Sequence, residues 1–107
     1  MALDQELVLR LTELLADEPD IGEKRMFGGH AFLVGGHLTV AASRTGGLLV
    51  RVDPDEAPAL LERDGVEPMV MRGREMRNWL HVAPEAIRSK RQLQPWVRRA
   101  VAFVRGL

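Results

Sequence analysis

The chain has 107 residues, 46% hydrophobic and 28% charged, with 15 bases balancing 15 acids. That amounts to one domain over residues 1–107 with enough apolar material for a single core. Having no cysteine, it excludes a disulfide framework and any thiolate metal or redox site, and fits a reducing cytoplasm.

Acids interrupt the N-terminal apolar residues and no basic segment precedes them, unlike a secretory leader. No apolar run approaches the roughly 18 residues that would span a bilayer. The expectation is a soluble, cytoplasmic protein without membrane contact. The zero net charge hides a polarity: residues 1–24 hold seven acids against two bases, and residues 72–107 hold nine bases against two acids. Either the two ends fold side by side and neutralise one another, or they face partners.

In chain order, Leu3, Leu7, Leu11, Leu14 and Leu15 recur at helical spacing and predict a helix from Leu3 to Ala16. Glu6 and Arg10 form an i,i+4 pair on its polar side, and Leu9 sits nearly opposite the apolar stripe. Pro19 and Gly22 mark a loop. Residues 24–34 then read as one extended run interrupted at Gly28-Gly29, where adjacent glycines mark a bulge or a close backbone approach. Met26 and Phe27 are expected to anchor this strand in the core.

Gly35-Gly36 between apolar alternations predicts a tight hairpin, with His37 to Ala42 as the return strand. Regular pairing from that turn places Val34 opposite His37, Phe32 opposite Thr39 and His30 opposite Ala41. Ala31, Leu33, Leu38, Val40 and Ala42 then share the more aliphatic face, which is expected to pack on the helices. Leu48 to Val52 is the third strand. Asp53-Pro54-Asp55-Glu56 opens a short helix that carries Ala57, Leu60 and Leu61 inward, with an irregular first turn at Pro58 and a stop at Gly65.

A second hairpin runs over residues 67–82 around Arg72-Gly73-Arg74, with Arg77, Trp79 and His81 on one face. Ser89 and Gln92 form a capping box for the last helix, whose apolar stripe includes Leu93, Trp96, Val97, Ala100 and Val104. Pro95 either kinks this helix or delays its regular part to about Gln94. The predicted order is α-βββ-α-ββ-α, an α+β fold with one antiparallel sheet and helices on one face.

Chemistry-bearing residues are sparse. His30 and His37 lie at opposite ends of one hairpin, roughly 10–13 Å apart along the strand, too far to share a metal, and no acid cluster converges with His81. Ser43 and Ser89 lack a nucleophile elbow, and the glycine pairs lie between strands rather than before a helix. No catalytic residue, metal or cofactor is expected. Arg91, Arg98 and Arg105 recur every seven residues with Arg99 beside them, a stripe that either faces nucleic-acid phosphates or a partner, or is a solvated face offsetting the helix's negative end. A small-ligand or enzymatic alternative would use the His30/Phe32 or the Trp79/His81 sheet face and needs polar groups converging in a concave pocket.

Arg25-Met26-Phe27-Gly28-Gly29, Phe32, Gly36 and Gly47-Leu48-Leu49-Val50-Arg51-Val52-Asp53 resemble the TfoX/Sxy N-terminal domain family. Gly65-Val66-Glu67-Pro68, Met76-Arg77-Asn78-Trp79, Val82-Ala83-Pro84-Glu85 and Trp96 with Arg99-Ala100 extend the likeness in order along the chain. The resemblance implies a fold like that of secretion chaperones. It also implies the regulatory role of founding members, which control natural competence together with a cyclic-AMP receptor type transcription factor. Those members carry a further C-terminal helical domain, which this chain is expected to lack, and the family supplies no catalytic residues. The expectation is therefore a non-enzymatic regulatory or protein-interaction domain with a protein partner, self-association, and direct DNA contact left open.

Overall fold

The computed structural model describes residues 5–26, 28–44, 46–71 and 73–107. Helix α1 (Gln5–Leu14) buries Leu7 and Leu11, with Leu15 buried just past its end; Leu3 lies outside the described residues. Arg10 does not pair with Glu6. Its Nη2 donates instead to the Ile87 carbonyl at 2.8 Å, tying α1 to the 3₁₀ turn that precedes the last helix.

The extended run is two strands rather than one. β1 (Ile21–Met26) and β2 (Gly29–Val34) are antiparallel, with Met26 opposite Gly29 and Ile21 opposite Val34. A two-residue connection leaves only residues 27 and 28 for the reversal, and Gly28 takes φ of 72° there, a conformation glycine adopts without a steric cost. Gly29 is also the close approach expected of the pair: a Cβ on it would lie 2.0 Å from the Ala42 carbonyl oxygen. Met26 joins the apolar cluster on the sheet's second face, and Phe27 lies outside the described residues.

β3 (His37–Ala42) returns through Gly35-Gly36, with Val34 opposite His37 and Leu33 opposite Leu38 as the turn requires. The register then slips: Phe32 pairs with Val40 and His30 with Ala42. Thr39 is the extra residue, fully buried, its Oγ1 donating to the His37 carbonyl at 2.9 Å. One inserted residue exchanges the faces beyond it. Val40 and Ala42 therefore join Phe32 and Val34 on the helix-bearing side, while Leu33 and Leu38 fall outside that core. The predicted face assignment fails at this bulge.

β4 (Leu48–Arg51), β5 (Val66–Met71) and β6 (Arg74–Val82) complete a six-stranded sheet in the order β1-β2-β3-β4-β6-β5, with antiparallel pairing throughout. The α+β architecture matches the predicted one with one strand added. A second irregularity, between Pro68 and Met69, lets Met76 share a cluster with Trp79 although Leu80 and Val82 face the helices.

α2 (Ala57–Leu60) is a single turn that starts later than its capping signals predict. Asp53 Oδ1 accepts the Asp55 amide at 2.9 Å, an Asx-type turn before the helix rather than an N-cap within it. α3 (Lys90–Arg105) follows a 3₁₀ turn at Pro84–Ile87. It is started by the full Ser89–Gln92 capping box and runs unbroken through Pro95. α1, α2 and α3 pack on one sheet face through Leu11, Leu60, Leu93 and Val97, whereas the buried residues of the opposite face, Ala31, Ala41, Leu49, Met69 and Trp79, include none from a helix.

Candidate functional site

Capping at Ser89 fixes where α3 begins, and with it which side chains point away from the sheet. Leu93, Trp96, Val97 and Ala100 go into the core; Arg91, Pro95, Arg98 and Ala102 are left on the outer face. This face walls an open groove of about 790 Å³ whose opposite wall is the segment joining β4 to α2, represented by Asp53 and Glu56, with Phe103 at one end.

The predicted arginine stripe separates into three environments. Arg105 turns back to the N-terminal half: Nε and Nη2 lie 3.1 and 2.8 Å from Glu18 Oε1, and Nη2 also donates to the Pro19 carbonyl. Arg99 spans the groove, its Nε 3.5 Å from Glu56 Oε1 and its guanidinium 5.4 Å from the Trp96 ring centroid. Arg63 approaches the same ring at 5.5 Å, so a buried indole is flanked by two cations. Arg99 Nη1 is shielded from solvent and has no acceptor among the described residues. Arg91 and Arg98 are exposed and make no ion pair among the described residues.

Among the described residues, neutralisation between the two ends is therefore limited to the Arg105–Glu18 pair. The groove keeps two unpaired guanidiniums on one wall and two carboxylates on the other, over the apolar surfaces of Pro95, Ala102 and Phe103. Asp53 and Glu56, read from sequence only as helix-start residues, are the members missed. No local sequence signal marks them: only the structure shows that Glu56 makes no side-chain cap hydrogen bond and pairs across the groove.

The residues of the small-ligand alternative do not converge. Phe32 is buried in the helix-side core, with the His30 ring 5.0 Å away and His30 Nε2 2.7 Å from Glu23 Oε1. Trp79 and His81 lie on the opposite face. Trp79 is buried among Ala31, Ala41, Leu49 and Met69 rather than against a helix. His81 Nε2 contacts the Gly46 carbonyl at 2.9 Å and Nδ1 lies 3.4 Å from Glu67 Oε1, so the ring straps the β3–β4 connection to β5. Among the described residues, no three of His, Asp and Glu gather as metal ligands would. Of the family motif, Arg25 is exposed and Met26, Gly28 and Gly29 build the first hairpin.

A one-sided helical layer on a six-stranded antiparallel sheet, with an open charged groove along the last helix, defines a small α+β domain. The chain belongs to the TfoX N-terminal domain family, whose model matches residues 13–104. No curated protein and no solved structure matches it. Among the described residues no helix is long and apolar enough to cross a membrane.

Proposed function

We propose that this chain is a non-enzymatic regulatory domain of the cytoplasm that works by protein contact through the groove along α3. The observation that carries this reading is the pair Arg91 and Arg98, exposed and without ion-pair partners among the described residues, facing Asp53 and Glu56 across an apolar strip. Alternating charge over an apolar floor suits a partner that carries both charge and hydrophobic side chains. A phosphate backbone offers no apolar side chains to cover the strip of Pro95, Ala102 and Phe103, which disfavours nucleic acid. Family membership supports the regulatory role, and a cysteine-free chain is at home in a reducing compartment.

The test is fluorescence anisotropy with two labelled probes, an acidic amphipathic peptide and a short DNA duplex. The peptide is expected to bind, and Arg91→Glu with Arg98→Glu to weaken it at least tenfold, while the duplex stays unbound at physiological salt. Duplex binding with a steep salt slope, lost in the same variant, would transfer the surface to nucleic acid.

A further inference from the structure

The acidic end of this chain carries the complement of its own groove. On α1, Glu6 and Glu13 are exposed, seven residues apart, and make no ion pair among the described residues. Between them Leu9 is 65% exposed, one of three large hydrophobic side chains so exposed among the described residues. On α3, Arg91 and Arg98 are likewise seven apart, with Pro95 between them. At 1.5 Å per residue both pairs span about 10.5 Å along a helix axis, so two carboxylates of one helix can meet two guanidiniums of the other while Leu9 covers the apolar strip.

This match cannot be made within one chain. Leu7 and Leu11 are buried at 1% and 0% exposure and hold α1 by its inner face, and Arg10 fastens it to Ile87. Glu6 and Glu13 thus point outward on the same helical layer whose α3 presents the arginines. We infer that the occupant of the groove is α1 of a second copy, the two chains meeting through their helical layers about a two-fold axis. Each α1 lies in the other's groove, so two identical contacts close the dimer. On the opposite wall Glu56 is already paired to Arg99, which reduces its repulsion of Glu6 and Glu13. This rests on the reading of the groove as a protein-contact surface.

Light scattering on the eluting protein, with charge exchange, tests it. The wild type is expected at twice the 12.0 kDa chain mass at low salt, falling toward the monomer as salt rises. Arg91→Glu with Arg98→Glu, and separately Glu6→Arg with Glu13→Arg, are each expected to elute as monomers. An equal mixture of the two variants should recover the dimer, because in that pairing both contacts regain opposite charges. A wild type that stays monomeric at every salt while still binding the acidic peptide would overturn the self-association and leave the groove reading standing. A wild type that neither associates nor binds the peptide would overturn both. A mixture that stays monomeric, or a mass that grows past the dimer with concentration, would overturn the two-fold exchange.

Discussion

Gly29 and the carbonyl of Ala42 are in closer contact than any other residue type would permit. A Cβ on Gly29 would lie 2.0 Å from that oxygen, with the Arg44 amide 3.3 Å away, and both obstacles are backbone. At neighbouring Gly28 the obstacle is the flexible Arg44 side chain, at 2.5 Å, and the added cost is the positive φ of 72°. Gly28→Ala should therefore cost about 1–2 kcal/mol. Gly29→Ala must push two strands apart and should cost more, about 3 kcal/mol or above. Urea denaturation of the two variants measures both; a milder effect at Gly29 than at Gly28 would refute the close approach as the reason for the second glycine.

Thr39 is accommodated by the bulge rather than required for the facing of its neighbours. Deleting it leaves a regular ladder in which Leu38 still meets Leu33 and Val40 still meets Phe32, so Val40 and Ala42 keep the side that holds Phe32 and Val34. A protein without Thr39 is expected to keep dispersed amide signals in an NMR spectrum and a cooperative melting transition. Thr39→Ser keeps the hydroxyl that reaches the His37 carbonyl and should fold. Poorly dispersed spectra from the deletion would show instead that the bulge itself is needed for the fold.

Trp96 joins the core to the groove wall. With 5% exposure it packs in the helix-side core while Arg63 and Arg99 flank its ring. Trp96→Ala should cost about 3–5 kcal/mol through the cavity left behind. Arg63→Ala removes one partly solvated cation and should cost no more than about 1 kcal/mol. Thermal and urea unfolding separate the two, and comparable losses would mean that the cations rather than the buried ring hold the helix.

Much of the fold is legible in the chain because local signals and tertiary demands agree. The Gly35-Gly36 turn sets the pairing of Val34 with His37, the leucine stripe sets the buried side of α1, and Ser89 with Gln92 starts α3. What escaped sequence reading depends on events one residue wide. The glycine pair at Gly28-Gly29 signals an interruption, but not that β1 and β2 fold back on each other across it, since strand-forming residues flank it on both sides. The Thr39 bulge leaves no mark in composition, yet it exchanges every face beyond it. Only spatial pairing reveals it.

The candidate site was half legible for a related reason. Seven-residue spacing exposes Arg91, Arg98 and Arg105 as a stripe, but not that Glu18 draws Arg105 away from the groove. Asp53 and Glu56 carry an adequate local explanation as helix-start residues, so nothing in their neighbourhood demands a second role. Their place across from α3 comes from the strand order, which is a long-range property.

Backbone amide shifts on addition of the acidic peptide test the location of the contact surface most directly. Binding in the groove should concentrate the changes at residues 91–103 of α3 and at residues 53–56 opposite. Changes clustered instead around Trp79, Met76 and Leu38 on the helix-free face, with α3 undisturbed, would contradict it.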